Sequence, residues 1–112
     1  MRREAEELEE LIGQDALVAL AEEFGGERLY VPLHITADHR IAQVIGLLKA
    51  VELSTRYSPD CIRIPLLRDL RAVRYRAAGL GQAAIARRLG MTENGVWKLF
   101  ARIDRGGTAS GS

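Results

Sequence analysis

The feature that most restricts the fold of this chain is an internal repeat in its first two-thirds. Residues 12–33 (IGQDALVALAEEFGGERLYVPL) align without a gap with residues 45–66 (IGLLKAVELSTRYSPDCIRIPL), at an offset of 33. The matches fall on apolar positions: Leu20 aligns with Leu53, and residues 29–33 align with residues 62–66. Two units indicate a pseudo-symmetric body, because a solenoid needs three or more.

Each unit has the pattern of a helix, a turn and a short strand. In the first unit, apolar residues recur at helical spacing from Ala16 to Phe24, and Gly25-Gly26 then ends the helix. Leu29 to Val31 is rich in strand-forming residues, and Pro32 limits this segment to a short or edge strand.

The second unit repeats this order, but different residues begin and end its helix. The predicted helix has Thr36 or Asp38 as its N-cap and an apolar face that consists of Ile41, Val44, Ile45, Leu48 and Val51. Ser58-Pro59-Asp60 ends the helix, and Ile62 to Ile64 forms the second strand. Strands this short are not stable alone, so they pair either with each other or with their copies across a two-fold axis.

Helices are predicted on both sides of the repeat. A glutamate-rich helix, Glu4 to Glu10, precedes it, and an apolar stripe of Leu67, Leu70, Val73 and Ala77 marks a helix that follows it. Two further helices span Gln82 to Leu89 and Glu93 to Ile103. We therefore predict a mainly α protein with two short β-strands. Its parts are a dimerisation region (1–66), a trihelical region (67–105) and a disordered tail (106–112).

The charges of the chain are segregated. Residues 1–27 carry nine acidic and two basic side chains, whereas residues 62–105 carry ten basic and three acidic ones. This polarity favours a basic end that faces a polyanion, although the two ends could also attract each other. The single cysteine, Cys61, excludes an internal disulfide and fits a cytoplasmic protein, and no apolar run is long enough for a membrane span.

The segment from Gln82 to Leu99 matches the general helix-turn-helix pattern. Ala86 supplies the small residue where two short helices cross, and Gly90 supplies the positive φ of the tight turn. Thr92 is placed as the N-cap of the recognition helix. The shared core would consist of Ile85, Leu89, Met91, Val96 and Leu99.

The remaining positions of this segment would face outward, toward double-stranded DNA. The predicted base-reading residues are Thr92, Glu93, Asn94, Trp97 and Lys98. The predicted phosphate-binding residues are Arg71, Arg74, Arg87, Arg88 and Arg102. Trp97 has two interpretations: contact with a thymine methyl or sugar, or packing onto another part of the protein. Gly95 permits either close packing or a close approach to DNA.

The string Phe24-Gly-Gly-x-x-x-Tyr30-Val31-Pro32, followed by a helix-turn-helix, resembles the Mor transcription activator family of Mu-like phages and prophages. The resemblance spans about residues 11–103. It implies a homodimer that binds an imperfect dyad upstream of a promoter and recruits RNA polymerase. It implies an N-terminal dimerisation region, and Tyr30-Val31-Pro32 and Ile64-Pro65 match the strand that joins the family's two regions. The predicted dimerisation and strand residues are Leu29, Tyr30, Val31, Pro32, Ile62 and Ile64. Ser58-Pro59-Asp60 departs from the glycine pair that stands at the same point of the first unit.

Enzyme functions are disfavoured by the sequence. His34 and His39 lie near Thr36 and Asp38, but such a group at a helix start is more typical of a cap than of a catalytic set. We find no phosphate loop, nucleophile motif or metal-ligand spacing, so we expect no cofactor and no small-molecule substrate. Two alternatives to a regulator stay open: a protein-interaction module with a purely structural trihelical core, and an accessory domain of a recombination system.

Overall fold

The computed structural model describes residues 2–107 of the chain. Within that range the protein is mainly helical, with one pair of short antiparallel strands, which confirms the predicted fold class at this level. The elements, in chain order, are α1 (Arg2–Ile12), α2 (Gln14–Phe24), β1 (Arg28–Tyr30), α3 (Arg40–Ile45), α4 (Leu47–Tyr57), β2 (Cys61–Arg63), α5 (Arg68–Ala77), α6 (Gln82–Leu89) and α7 (Glu93–Arg102).

The described residues extend a few positions beyond α7 and include the start of the predicted tail. The backbone continues past α7 from Ile103 and leaves helical geometry at Gly106, which has a positive φ (88°), so the described structure includes residues 106 and 107 of the predicted tail. The rest of that tail, residues 108–112, lies outside the described residues. Among residues 2–107, every helix is too short or too polar to cross a bilayer.

Backbone contacts divide the chain into two compact units, Met1–Leu66 and Leu67–Ser112.

The first unit contains the repeat as a structural duplication. Helix α4 has the bounds of α2 shifted by 33 residues, and β2 has the bounds of β1 shifted by the same number. Helix α2 packs on α1 and α3, and α4 packs correspondingly on α3 and α1. The duplication therefore also includes the helix before each glycine break, which the sequence alignment did not contain.

The two strands pair with each other within the chain, which decides between the two pairings that the sequence left open. Leu29 lies opposite Ile62, its counterpart in the repeat. The Val31 N–H donates to the Asp60 carbonyl (2.8 Å), and the Ile64 N–H donates to the Glu27 carbonyl (2.9 Å). The two bonds are equivalent in the repeat, because the donors Val31 and Ile64 are 33 residues apart and so are the acceptors Glu27 and Asp60. An approximate two-fold axis therefore passes through the Leu29–Ile62 pair.

The core of the first unit is built from equivalent positions of the two halves. Burial is complete, or nearly so, at the pairs Leu8 and Ile41, Leu20 and Leu53, Val31 and Ile64, and Leu29 and Ile62. Burying an aliphatic side chain of this size stabilises a fold by about 1.5–3 kcal/mol. The apolar positions that match between the two repeat units thus form one shared core around the two-fold axis.

The predicted apolar face that ran from Ile41 through Val51 is wrong in its second part. The helix breaks at Gly46 (φ 89°), and α4 begins after it with a new helical phase. The buried residues of α4 are Ala50, Leu53 and Ser54, whereas Leu48 is 84% exposed. A single helical period cannot be carried across a residue with positive φ, and this is why the predicted face misplaced Leu48.

The predicted N-cap of the same segment is also corrected. His39, and not Thr36 or Asp38, caps α3, since its Nδ1 accepts a hydrogen bond from the Ile41 N–H (3.1 Å). The Thr36 hydroxyl instead donates to the Asp38 carboxylate, and this bond lowers the pKa of Asp38. The polar group before α3 is therefore used in local hydrogen bonds.

The second unit packs α5, α6 and α7 around one core. Its buried residues are Ala72, Tyr75, Ile85, Ala86, Leu89, Val96 and Leu99, with Met91 and Phe100 packed against them. The core positions predicted for α6 and α7 are thereby confirmed.

The stripe predicted for α5 is wrong. The buried side chains of α5 are Arg71, Ala72 and Tyr75, while Val73 is 37% exposed and Ala77 is exposed. An apolar count misses this face because Arg71 and Tyr75 are polar residues that hydrogen-bond each other inside the unit (Arg71 Nε to Tyr75 Oη, 3.1 Å).

Candidate nucleic-acid interface

The turn between α6 and α7 fixes the direction in which α7 leaves the core. Gly90 adopts the left-handed conformation (φ 68°) that the sequence predicted. The Met91 N–H donates to the Ala86 carbonyl (2.9 Å) and the Gly90 N–H to the Arg87 carbonyl (3.3 Å). This pair of bonds is a Schellman motif, which ends α6 and satisfies its last carbonyls. Ala86 is 4% exposed, in agreement with its predicted place at a close helix contact.

The start of α7 is held by side chains from both helices. The Thr92 hydroxyl accepts a hydrogen bond from the Gly95 N–H (2.9 Å), which confirms Thr92 as the N-cap. The Gln82 side-chain amide, at the start of α6, donates to the Glu93 carbonyl (3.0 Å). A Cβ on Gly95 would lie 3.1 Å from the Thr92 hydroxyl oxygen and 3.3 Å from the Met91 methyl. Gly95 therefore serves close packing at the cap.

One face of α7 is exposed and carries most of the predicted base-reading side chains. Asn94, Trp97 and Lys98 are exposed and lie three or four residues apart, so they share one side of the helix. Val96 and Leu99 are buried on the opposite side. Trp97 is 60% exposed, so within this unit it is a surface residue. Glu93 is also exposed, whereas the hydroxyl of Thr92 is used by the cap.

A basic groove runs beside this face of α7. Four cationic side chains and one carboxylate line it together with Trp97, Gly95 and neighbouring apolar atoms: Arg68, Lys98, Arg102, Arg105 and Asp69. The groove is an open surface depression, so it suits an extended anionic partner better than an enclosed small molecule.

Arg87 and Arg88 remain available at the end of α6. Both side chains are exposed, and the Arg88 guanidinium lies over the Tyr75 ring, 5.5 Å from its centroid. An arginine held over an aromatic ring keeps its charge and its donors while its orientation is restricted. Both arginines can therefore serve as the predicted phosphate contacts.

Arg71 has a different role from the predicted one. It is 5% exposed, and its Nη2 donates to the Arg88 carbonyl at the end of α6 (2.9 Å). A cation at this point also interacts favourably with the C-terminal end of the helix dipole. Because its guanidinium is buried and hydrogen-bonded inside the unit, we reassign Arg71 from phosphate binding to the stabilisation of α6.

Arg102 and Arg74 are also engaged within the protein. The Arg102 guanidinium donates to both carboxylate oxygens of Asp69 (2.9 and 3.0 Å), and these bonds raise the pKa of Arg102. Arg74 is half-buried. A phosphate could bind Arg102 only by sharing it with Asp69 or displacing Asp69.

Sequence reasoning missed two groove cations, Arg68 and Arg105. Arg105 lies seven residues after Lys98, which is two helical turns, and extending that spacing past Ile103 would have found it. Arg76, a third unassigned arginine, lies over the Phe100 ring (4.1 Å to the centroid) and forms a two-bond pair with Asp104 (3.2 and 3.2 Å).

The strand residues predicted for dimerisation lie in the first unit. Leu29, Val31, Ile62 and Ile64 are buried there, so their side chains are used by the core of one chain. Tyr30 is 55% exposed, and the Pro32 carbonyl accepts a hydrogen bond from the Ser54 hydroxyl (2.8 Å). On the outer face of the ribbon, Arg28 lies opposite Arg63, a like-charged pair.

Comparisons of the chain with protein-family models, curated proteins and solved structures find no match.

Proposed function

We propose that this chain is a sequence-specific DNA-binding regulator of transcription that inserts α7 into the major groove. The observation that carries the proposal is the exposed face of α7, where Asn94, Trp97 and Lys98 stand together on a helix that is capped at Thr92. An α-helix fits the major groove of B-form DNA, and its exposed side chains can reach base edges there. Helices α6 and α7 then act as a helix-turn-helix.

The chemistry of this face suits base recognition. The Asn94 amide can donate to and accept from one adenine edge, and the Lys98 ammonium can donate to guanine. Trp97 offers a flat apolar surface that fits a thymine methyl or a sugar. Glu93 is exposed at the first position of the helix and can accept from a cytosine amino group.

The flanking cations supply the sequence-independent part of binding. Arg87 and Arg88 extend from the end of α6, and Arg68 and Arg105 line the groove beside α7. Contacts of this kind position a protein on the duplex without reading its sequence. For a complex that neutralises about six to ten phosphates, affinity falls about 10³- to 10⁵-fold between 50 and 200 mM salt.

Two copies of the chain are proposed to act together on a dyad site. The resemblance to the Mor transcription activator family supports a homodimer that activates a phage or prophage promoter in the cytoplasm and contacts RNA polymerase. Paired recognition helices would enter successive major grooves about 34 Å apart.

The test begins with selection of bound sequences from a random DNA pool, followed by anisotropy titrations of the selected site and of random DNA. Asn94→Ala and Lys98→Ala should weaken binding to the selected site more than binding to random DNA. Gln43→Ala, an exposed amide in the first unit, is the matched control and should change neither. Absence of any DNA binding at 50 mM salt by the folded protein would reject the proposal.

Trp97 provides a second readout, because it is the single tryptophan of the chain. DNA that binds the exposed face of α7 and the basic groove of the protein beside it should quench or shift the fluorescence of Trp97. Binding that leaves Trp97 fluorescence unchanged would show that DNA contacts another surface.

A further inference from the structure

The first two turns of α4 expose apolar side chains that do not pack in the core of the first unit. Leu48 is 84% exposed, and Leu47 and Val51 are each 43% exposed. Because they lie three and four residues apart, Leu47 and Leu48 both adjoin Val51 on one side of the helix. Several exposed apolar residues in one place mark an interaction site more often than a plain surface.

A fourth apolar residue is fixed beside this helix. Ser54, one turn after Val51, donates its hydroxyl to the carbonyls of Pro32 and Leu33 (2.8 and 2.9 Å). These bonds hold the segment after β1 against α4, and the Leu33 side chain is 63% exposed there. We call Leu33, Leu47, Leu48 and Val51 the α4 patch.

The repeat shows that the fold itself does not require the α4 patch. The counterparts of Leu47 and Leu48 in the first half are Gln14 and Asp15, and the counterpart of Val51 is Val18, which is 6% exposed. Both halves nevertheless have the same elements and the same buried pairs. The second half therefore carries apolar residues at positions where the first half has polar or buried ones.

The charges around the α4 patch fit a second copy of the same patch. Lys49 and Glu52, three residues apart, are exposed together on α4, on the side of Leu48 that is opposite to Leu47 and Val51. When two α4 helices pack antiparallel across a two-fold axis, Lys49 of each copy comes within about one helical turn of Glu52 of the other. The pairing places opposite charges together twice on one flank of the contact and buries Leu48 and Val51 against the other copy beside them.

We propose that the α4 patch is the surface through which two copies of this chain associate. This inference rests on the proposed function, which calls for two recognition helices on a dyad. It moves the dimer contact away from the strands, because β1 and β2 already pair with each other and their inward side chains are buried. The repeat forms one pseudo-symmetric body inside each chain, and α4 joins two such bodies.

The first experiment measures the mass of the protein without DNA, by sedimentation equilibrium over micromolar concentrations. The wild type should be a dimer. Leu48→Asp should raise the dissociation constant of the dimer about 100-fold or more, because it introduces a charge at the centre of an apolar interface. Asp15 shows that a carboxylate is tolerated at the equivalent place in the fold. Gln43→Glu, an equal addition of charge on α3, should leave the dimer unchanged.

Charge reversal separates association from misfolding. Lys49→Glu and Glu52→Lys should each weaken the dimer about tenfold, since each puts like charges opposite one another twice. An equimolar mixture of the two variants should form mixed dimers, because opposite charges then face each other at both points. A misfolded variant would not be rescued by mixing.

The outcomes distinguish this inference from the proposed function. A monomeric wild type, or a dimer that Leu48→Asp leaves intact, would overturn the α4 interface whatever the protein does with DNA. A dimer that is sensitive to Leu48→Asp but does not bind DNA supports the interface and rejects the regulator. With both correct, monomeric Leu48→Asp should bind a half-site as the wild type does, while its affinity for the full dyad falls.

Discussion

Gly13 and Gly46, which lie 33 residues apart, adopt the same backbone conformation, with φ 90° and ψ 160° at Gly13 and φ 89° and ψ 156° at Gly46. Each glycine N–H donates 2.8 Å to the carbonyl four residues earlier, and each glycine carbonyl accepts from the N–H four residues later. Each residue thus ends one helix and begins the next. The sharp bend is what lets each half of the first unit fold its two helices against each other.

We expect Gly13→Ala and Gly46→Ala to destabilise the protein by about 1–3 kcal/mol each. This region of φ and ψ is accessible essentially to glycine alone. No atom lies within 4 Å of the position of either new Cβ, so the cost is backbone strain and not a clash. Urea denaturation measures it. Gly81→Ala, at φ −78°, is the control: it introduces no strain at positive φ, so it should cost less than either variant, and its cost is limited to the preference for glycine over alanine at an N-cap. Unequal costs at the two glycines would contradict the equivalence of the halves.

Ser54 offers a second test of the repeat. Its counterpart is Ala21, which is 2% exposed, so alanine fits the equivalent position. Ser54→Ala should therefore cost about 0.5–1.5 kcal/mol, the typical contribution of a hydrogen bond, without a packing defect. Thr55→Ala, an exposed neighbour, should change the free energy of unfolding by less than about 0.5 kcal/mol. Equal values for the two variants would show that the bonds to Pro32 and Leu33 contribute nothing.

The cap of α7 is tested at Thr92. Thr92→Ala removes the acceptor of the Gly95 N–H and should destabilise the protein by about 0.5–2 kcal/mol, whereas Thr92→Ser should retain most of the stability. Thermal unfolding followed by circular dichroism gives both values. If serine fails to substitute for threonine, the hydroxyl is not the group that matters.

Arg71 and Arg87 separate stability from DNA binding. Arg71→Met leaves the Arg88 carbonyl without this donor and should cost about 1–3 kcal/mol of stability. Arg87→Met should leave stability within about 0.5 kcal/mol and reduce the slope of log affinity against log salt by about 1. If Arg71→Met instead reduced the salt slope and left stability unchanged, Arg71 would again be assigned to phosphate binding.

The ion pair between Arg102 and Asp69 should restrain DNA binding. Asp69→Asn removes the charge partner of a groove cation, so affinity for DNA should rise and the salt slope should steepen by about 1. Asp104→Asn is a matched control, because it changes net charge equally but releases Arg76, which lies over Phe100. Equal gains in both variants would mean that net charge alone is responsible.

The sequence by itself determined most of the elements and much of the candidate interface. Local signals suffice for these: the 33-residue repeat gave each half a helix followed by a strand, Gly90 set the turn, and Thr92 set the cap. The break at Gly46, which divides the predicted helix of the second unit into α3 and α4, was not foreseen. The outward position of Asn94, Trp97 and Lys98 also follows from helical spacing, since a short helix with one buried side has only one exposed side.

The tertiary structure alone decided which partner each of the remaining groups meets. Leu29 pairs with Ile62 in the same chain, because the two halves fold around a common axis that no local pattern reveals. Arg71 is buried because Tyr75 and the Arg88 carbonyl lie within its reach, so burial of its charge is compensated by hydrogen bonds. Leu48 is exposed because Gly46 resets the helical phase, and its side chain therefore points away from the core to which its hydrophobicity had assigned it.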